Sequence, residues 1–363
     1  MRRMTVVQLL PELSSGGVER TTLEVAAALA GAGHRSVVVS AGGRLVERLV
    51  EQGSEHIRMD IGRKSLASLR HVRALRRLFA ALRPDIVHAR SRLPAWLAHF
   101  ALRGMRQGAP HFLTGVHGLN SPGAYSAILT RGERVVCVSE TVRAHVLRHW
   151  PATPPTRLLV IEPGIDTQVF SAGSPAPEAL PLPAAWRGRR ILLMPGRGTR
   201  LKGHDAAIRL LASVRAAGVD AGLWLLGCVQ PGREAYVEEL RGLAASAGVA
   251  DFVEFSAASE RIVEAYRGAD LVLQLSSRPE AFGRTVVESL AVGTPVIGWD
   301  HGGVGELLAR HFPQGRVPPG DQAALLATTL GVLSCHERPA AIHPQSLADA
   351  QAQTLNVYQS LLA

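Results

Sequence analysis

The feature that most constrains the fold is a regular alternation of short apolar runs with amphipathic segments. The apolar run at residues 6–10 precedes an amphipathic segment at 18–32, and a second apolar run follows at 36–40. Continuous apolar runs that alternate with helices are typical of parallel strands covered by helices on both faces. The chain is therefore predicted to form doubly wound α/β sheets.

The alternation pauses once, at residues 171–183, where Ser, Gly, Ala and Pro dominate as they do in linkers. Strand-like runs before this segment lie at 56–59, 85–88, 112–116, 135–138 and 158–161, and those after it at 191–194, 222–226, 252–255, 271–275 and 295–298. We therefore predict two tandem Rossmann-like domains with an interdomain cleft, residues 1–165 and 166–344, and a final helix over about 345–363.

Composition indicates a cytoplasmic protein. No apolar stretch is long enough to cross a bilayer, and the basic start of the chain is not followed by a cleavage-type pattern of small residues. Cys137, Cys228 and Cys335 are far apart and form no CxxC pair, which argues against a disulfide framework and against a thiolate metal site.

The positive charge is concentrated in the first part of the chain. Residues 1–150 hold 22 Arg and Lys against 10 Asp and Glu, a net +12, whereas the remainder has a net −2. This suggests an anionic partner such as a membrane surface or a phosphorylated glycan. Nucleic acid is disfavoured because few aromatic residues lie among the basic ones. Only Lys64 and Lys202 are lysines, so genomic base composition is an alternative source of the arginine excess.

Ligands of open α/β sheets bind beyond the carboxyl ends of the strands, and the first such junction contains Gly16 and Gly17. Two glycines before a helix let backbone amides approach an anionic ligand. The segment lacks the GxGxxG spacing of nicotinamide-binding proteins, and a plain tight turn remains the alternative.

A second junction follows the run 191–194. The spacing of Gly198 and Gly203 matches a phosphate loop, but His204 occupies the place where Lys-Ser/Thr would be needed, which argues against an ATP-binding loop. Arg197 and Lys202 instead place two cations near a helix start. This arrangement suits a diphosphate leaving group, with solvated surface charge as the alternative.

The third junction, after the run 271–275, is the most informative. Glu280 falls in the loop and Glu288 in the opening turns of the next helix, with Phe282 and Gly283 between them. Carboxylates accept pairs of hydroxyl protons, so two of them at this spacing suit a polyol ligand. Backbone N–H groups of Phe282 and Gly283 are expected at the same helix end.

These motifs resemble those of the retaining GT-B glycosyltransferases of family 4, and the similarity covers nearly the whole chain. Within that family, the sequence most resembles the bacterial lipopolysaccharide-core glycosyltransferases. The matching phrases are Gly16-Gly17-Val18-Glu19-Arg20, Pro84-Asp85-Ile86-Val87-His88-Ala89, Gly196-Arg197 with Lys202-Gly203, Glu280-x7-Glu288, Gly302-Gly303-Val304-Gly305-Glu306 and Val317-Pro318-Pro319-Gly320-Asp321.

The resemblance implies a role for each matching residue. Arg197 and Lys202 would hold the donor diphosphate, Glu280 would lie against the transferred sugar, and Glu288 would bind the ribose hydroxyls. The remaining assignments are amide contacts to the sugar from Phe282 and Gly283, a side-chain contact to it from His117, and contacts to diphosphate and acceptor from Gly16 and Gly17. The resemblance also implies a hexose donor such as UDP-glucose, a glycan or lipid-linked acceptor, and a C-terminal helix that crosses back to the N-terminal domain.

No metal cofactor is expected, because the chain contains no DxD motif and no histidine spacing typical of a zinc site. The main alternative function is a catalytically silent sugar-nucleotide-binding protein or partner subunit on the same fold. A phosphorylase that uses pyridoxal phosphate is a further alternative, but it would need a Schiff-base lysine, and Lys202 is already assigned to the diphosphate.

A basic segment at residues 66–79 suggests where the protein acts. Its apolar positions 66, 69, 72, 75, 78 and 79 have helical spacing, and Arg70, Arg73, Arg76 and Arg77 lie off the centre of that stripe. An ordinary surface helix explains the stripe. The neighbouring basic residues, Arg106 among them, predict in addition that this domain docks on the anionic inner face of the cytoplasmic membrane.

Overall fold

The structure is a computed structural model that describes residues 2–14, 16–105, 108–172, 182–335 and 338–363. The chain forms two compact units: unit 1 comprises Met1–Gly164 with Leu347–Ala363, and unit 2 comprises Ile165–Ser346. These divisions lie beside the predicted boundaries at 165 and 344. Residues 173–181 of the predicted linker, and Arg106, lie outside the described residues.

Unit 1 is built on a seven-stranded sheet in which every strand pair is parallel. The strands are β1 (Thr5–Leu9), β2 (Arg35–Ser40), β3 (Glu55–Arg58), β4 (Ile86–Ala89), β5 (His111–Val116), β6 (Arg134–Cys137) and β7 (Leu158–Val160). Their order is β3-β2-β1-β4-β5-β6-β7. The helices between them are α1 (Gly17–Gly31), α2 (Val46–Glu51), α3 (Arg70–Leu82), α4 (Arg92–Arg103) and α5 (Glu140–His149).

Unit 2 repeats this plan with a six-stranded parallel sheet. The strands are β8 (Arg190–Leu193), β9 (Ala221–Leu226), β10 (Val253–Ser256), β11 (Leu271–Gln274), β12 (Val296–Trp299) and β13 (Arg316–Val317), in the order β10-β9-β8-β11-β12-β13. The helices are α6 (His204–Ala216), α7 (Glu234–Ser246), α8 (Ile262–Gly268), α9 (Arg284–Ala291), α10 (Gly302–His311) and α11 (Gln322–Ser334). The predicted fold, two Rossmann-like parallel sheets in tandem, is confirmed.

Two details differ from the sequence-based prediction. The strand β13 was not predicted, because two residues are too short to show a pattern. The segment 66–79, whose spacing predicts a single helix, divides into a 3₁₀ turn, Leu66–Leu69, and the start of α3. The Ser65 hydroxyl accepts a hydrogen bond from the Ala67 amide and so fixes the start of the 3₁₀ turn. Leu69, the last residue of the 3₁₀ turn, is 57% exposed, whereas Leu75 and Phe79 of α3 are buried.

The last helix, α12 (Leu347–Ser360), belongs to unit 1. This agrees with the expectation that the C-terminal helix crosses back to the N-terminal domain. Tyr358 is fully buried among apolar side chains of β1, α1 and β4, and its hydroxyl lies 2.8 Å from Nδ1 of His88. Gln351 donates a hydrogen bond of 2.7 Å to the carbonyl of Glu24 on α1. Within the described ranges, no helix is both long enough and apolar enough to span a membrane.

Replacing Tyr358 by Phe should destabilise unit 1 by about 1–3 kcal/mol, because it leaves a buried nitrogen of His88 without a hydrogen bond. Urea denaturation followed by circular dichroism measures the free energy of unfolding. The matched control is Asn356→Ala, which alters an exposed position of the same helix. Equal stability of the two variants would show that the Tyr358–His88 contact contributes nothing.

Candidate functional site in unit 2

Three loops converge at one edge of the sheet of unit 2, because β8, β11 and β12 are parallel neighbours whose carboxyl ends point the same way. The strand order reverses between β8 and β11, and ligands of open α/β sheets bind at such a reversal. Lys202 follows β8 and Glu280 follows β11. The predicted diphosphate-binding and sugar-binding residues therefore lie at the position where this fold binds its ligands.

Two glycines with positive φ allow these loops to approach one another. A Cβ on Gly203 (φ +79°) would lie 2.0 Å from the carbonyl oxygen of Leu275, and one on Gly302 (φ +62°) would lie 2.6 Å from the carbonyl oxygen of Glu280. Any side chain there would be strained and would also push the loops apart. The glycines thus bring the Glu280 loop between the start of α6 and the start of α10.

Lys202 and Glu280 form an ion pair in this space, with Nζ donating to Oε1 at 2.7 Å. Their side chains are 24% and 28% exposed, so both remain accessible to a ligand. Burial would raise the pKa of the Glu280 carboxyl, but Lys202 and the Ser276 hydroxyl lower it to below its usual value. Glu280 is therefore a carboxylate at neutral pH, suited to accept hydrogen bonds from hydroxyl groups.

Residues around Glu280 fix its orientation. Ser276 donates a hydrogen bond to Oε1, and Gln274 donates one to Oε2 at 3.3 Å. Nε2 of His301 lies 3.0 Å from the carbonyl oxygen of Ser276, and the amide of Gly303 donates to the carbonyl of Glu280 at 2.8 Å. Gln274 of β11 and Ser276 thus hold the carboxylate, and the start of α10 holds the backbone of its loop.

Glu288 has a different environment. It lies on α9 with a residual exposure of 5%, and Oε2 accepts a hydrogen bond of 3.0 Å from the hydroxyl of Tyr266. Phe282 and Gly283 are also buried and directly precede α9. Gly283 is the N-cap residue of α9, and Glu288 lies one turn inside the helix, while the amide contacts of Phe282 and Gly283 with a sugar stay a prediction. The assignment of Glu288 to ribose hydroxyls also stays a prediction.

Arg197 is not brought into the Lys202–Glu280 pair by any hydrogen bond between the described residues. Its side chain is exposed in the loop after β8, and its carbonyl accepts a hydrogen bond of 2.7 Å from the amide of Thr199. Its neighbour Arg200 pairs with Glu239 on α7. Arg197 is therefore available to an anionic ligand.

His204 is completely buried at the first position of α6, and Nδ1 lies 3.4 Å from the hydroxyl of Tyr236. Burial and the neighbouring Lys202 cation lower the pKa of its imidazole to about 4. The residue that breaks the ATP-loop pattern is thus a neutral core histidine that supports the Lys202 loop.

The predicted site residues of unit 1 lie at the ends of two of its strands. His117 directly follows β5, and Nε2 lies 3.4 Å from a guanidinium nitrogen of Arg90. Gly16 and Gly17 begin α1, with the carboxylate of Glu19 folded over Gly16. A Cβ on Gly16 would lie 2.5 Å from that carboxylate.

Sequence reasoning missed several polar residues of these sites, namely Gln274, Ser276, Tyr266, His301 and Arg90. Gln274 and Arg90 carried a signal that was available, since each is a polar residue within or just after an apolar strand. Tyr266 carried none, because its contact with Glu288 joins α8 to α9. Among the described residues, no group of three His, Cys, Asp or Glu side chains could hold a metal ion.

Comparison with known families assigns both units. Residues 15–169 match the family described as Glycosyltransferase Family 4, and residues 184–346 match Glycosyl transferases group 1. The chain belongs to the glycosyltransferases of the GT-B fold. The first match covers most of unit 1 and the second covers most of unit 2. Lys202 and Glu280 lie within the second match.

Individual relatives agree with this assignment. The chain is similar to a glycosyltransferase from Rickettsia africae, with a TM-score of 0.86 and 26% identity over 100% of this chain and 99% of that one. It is also similar in fold to Anabaena HepE, solved in complex with UDP-glucose, with a TM-score of 0.76 and 19% identity over 99% and 98%.

Among curated sequences, a D-inositol 3-phosphate glycosyltransferase of Acidothermus cellulolyticus is 34% identical over 185 residues, which are 49% of this chain and 41% of the relative. The chain spans about two fifths of the length of the curated relatives it matches.

The low pKa of His204 predicts a loss of stability in acid. Because the folded pKa lies below the unfolded value of about 6.5, the unfolded state binds more protons as the pH falls. The contribution of His204 is complete above pH 6.5 and is lost as the pH falls towards 4, by up to about 1.4 kcal/mol per pH unit.

Denaturant unfolding at a series of pH values should show a shallower acid slope for His204→Phe than for the wild-type chain. His343→Phe, at an exposed position of the same unit, should keep the wild-type slope. Identical slopes for all three proteins would mean that His204 is not held neutral.

Proposed function

We propose that the chain is a retaining hexosyltransferase that moves a sugar, UDP-glucose being the first donor to test, from a nucleotide diphosphate to a glycan or lipid-linked acceptor. The observation that carries the proposal is the accessible Lys202–Glu280 pair at the strand reversal of unit 2. One member suits a phosphate and the other suits sugar hydroxyls, and the fold holds both in one place.

The main barrier in such a transfer is negative charge that develops on the β-phosphate as the glycosidic bond breaks. Preorganised cations and helix ends stabilise that charge. Lys202 supplies a fixed ammonium, and the exposed Arg197 supplies a guanidinium that can bind two phosphate oxygens. Glu280 positions the sugar through its hydroxyls. No metal ion is needed in this scheme.

Retention follows if the acceptor attacks from the side that the diphosphate leaves, with the acceptor proton passing to the departing phosphate. Glu280 is assigned positioning and electrostatic stabilisation of the sugar in this route. The resemblance also assigns His117 a contact with the transferred sugar.

The acceptor is proposed to belong to the cell envelope, with lipopolysaccharide core as the first class. A phosphorylated polyol is a second class, favoured by the curated relatives that carry the name D-inositol 3-phosphate glycosyltransferase. The contrasting function, a catalytically silent sugar-nucleotide-binding subunit, would bind the donor without hydrolysing or transferring it.

Lys202→Ala and Arg197→Ala should each lower the rate of sugar transfer by about 10²–10³, because each removes a cation from the developing charge. Radiolabelled donor measures transfer to an acceptor panel and slow hydrolysis without acceptor. The matched control is Arg200→Ala, which removes a neighbouring arginine that is paired with Glu239.

Full activity of the Lys202→Ala, Arg197→Ala double variant would overturn the proposed mechanism. EDTA is expected to leave the rate unchanged, and loss of turnover that Mg²⁺ or Mn²⁺ restores would show that a metal ion meets the diphosphate charge. Donor binding by a wild-type chain that neither transfers nor hydrolyses would favour the silent subunit.

We further propose that α3 of unit 1 docks on an anionic membrane. Arg70, Arg73 and Arg77 are exposed on this helix, and Leu69 is exposed just before it. Arg76 differs from the other three because it donates to the carbonyls of Ala101 and Phe100 near the end of α4 and so serves the packing of α3 on α4.

Aromatic side chains border this basic surface. Tyr125 packs under the cations of Lys64 and Arg92, at 5.5 and 5.2 Å from its ring centroid. The partly exposed Phe100 stacks on Trp96 at 5.4 Å. Basic residues next to exposed aromatic and aliphatic side chains are the composition that binds a lipid headgroup region.

Reversing Arg70, Arg73 and Arg77 to Glu should abolish flotation of the protein with vesicles that contain anionic lipid, since each basic side chain contributes about 1 kcal/mol near such a surface. Binding of the wild-type chain should also weaken with salt. The matched control reverses three exposed arginines of unit 2: Arg209, Arg233 and Arg241. Equal recovery of the wild-type chain with neutral and anionic vesicles would contradict membrane docking.

A further inference from the structure

A buried polar cluster lies at the carboxyl ends of β4 and β5 in unit 1. Arg90, which directly follows β4, is only 3% exposed, and its Nε donates a hydrogen bond of 2.8 Å to Oε1 of Gln8 on β1. A second guanidinium nitrogen lies 3.4 Å from Nε2 of His117. Arg90 thus connects β1 to the histidine predicted to contact the sugar.

The space for this contact exists because residue 115 is glycine. A Cβ on Gly115 would lie 2.5 Å from Nε2 of His117 and 3.3 Å from Nε2 of His88. Both imidazole rings therefore turn their Nε2 atoms towards the same strand backbone. The ring of His88 is fixed in turn by the Tyr358 hydroxyl on α12.

The chemistry of the pair decides where the proton of His117 lies. A guanidinium has N–H donors and no acceptor, so a nitrogen that faces it must accept. In a neutral imidazole one nitrogen accepts and the other carries the proton. If Nε2 accepts from Arg90, Nδ1 is the protonated nitrogen. Nδ1 makes no hydrogen bond within the described part of the chain, and the ring is partly exposed.

We propose that Arg90 is a positioning residue that holds His117 as a neutral, Nδ1-protonated imidazole. The ring then offers an N–H donor to a hydroxyl oxygen of the bound sugar and does not act as a general acid. The part that concerns the sugar rests on the proposed function. The part that concerns the proton and the charge rests on unit 1 alone.

The electrostatic surroundings agree with a neutral ring. Burial and the Arg90 cation lower the pKa of His117 to about 3. A small cavity of about 30 Å³ beside the ring is lined by titratable groups from several elements. They are Glu24 of α1, His88 of β4, Arg90 directly after β4, and Glu162 after β7. Tyr358 of α12 contacts His88 and interacts with Arg90. Of the charged groups, Arg90 lowers the pKa of His117 directly.

Nitrogen NMR of the chain labelled with ¹⁵N-histidine tests the proposal without any substrate. The signals of His117 are identified by their loss in His117→Gln. The wild-type chain should show an unprotonated Nε2 and a protonated Nδ1 at pH 7, and the ring should not titrate between pH 8 and 5. Free histidine, which titrates near pH 6.5, serves as the reference. A protonated Nε2, or a midpoint near 6.5, would overturn the proposal.

Variants of Arg90 separate positioning from a merely structural role. R90M should allow His117 to titrate at or above pH 5 and to exchange between tautomers, while R90K should keep the low pKa because it retains a buried cation and a donor. R157Q, which removes an exposed arginine of the same unit, is the matched control and should show the wild-type His117 signals. Unchanged His117 signals in R90M would overturn the role of Arg90, and if R90M does not fold the wild-type spectrum alone decides.

Activity adds a readout that distinguishes this inference from the proposed function. If His117 of R90M titrates near 6.5, only about a tenth of its imidazole is neutral at pH 5.5. The drop in kcat/KM between pH 8 and pH 5.5 should then be about tenfold larger for R90M than for the wild-type chain. A wild-type chain without transferase activity but with the predicted histidine spectrum would reject the proposed function and retain the Arg90–His117 assignment.

Discussion

The parallel pairing of β8 with β11 is the constraint on which the site of unit 2 depends. Parallel strands place their carboxyl ends at one edge, and the reversal of strand order at this pair leaves that edge open between the helices that follow the two strands. Lys202 and Glu280 are 78 residues apart in the chain, and they meet because their loops leave neighbouring strands in the same direction.

The contact between these loops is closer than most side chains would permit. Gly203 and Gly302 combine a left-handed backbone with a carbonyl oxygen less than 3 Å from where a Cβ would lie. Those approaches align Glu280 with the start of α10 and with the ammonium of Lys202. The ion pair is only partly exposed, so a ligand meets a cation and a carboxylate that are already oriented. Such preorganisation is the usual source of electrostatic catalysis in a transfer to or from a phosphate.

Polar side chains of unit 1 likewise orient one another. Gln8, Arg90 and His117 form one chain of contacts, and Tyr358 fixes His88 beside it. Buried polar groups of this kind are costly unless hydrogen-bonded, so each contact restricts the rotamer and the protonation of its neighbour. Tyr358 connects α12 to this cluster, because its hydroxyl contacts His88 on β4.

The sequence alone determined the fold class, because the apolar periodicity of parallel strands and amphipathic helices is local and survives without any tertiary information. Most strand bounds were predicted to within about one residue, and the exception β13 is too short to carry a period. The sequence also located Arg197, Lys202, Glu280 and Glu288 at strand-to-helix junctions, since turn residues and charged side chains mark those positions directly.

Tertiary structure alone decided how these side chains are paired. The hydrogen bonds of Gln274 and Ser276 with Glu280, of Tyr266 with Glu288 and of Arg90 with His117 depend on loop directions and rotamers, which no spacing encodes. The exposure of Leu69 and the use of Arg76 to hold α4 were likewise invisible to a helical pattern. Periodicity records which face of an element is apolar, whereas the pairing of polar groups depends on distances between elements that are set only when the core has packed.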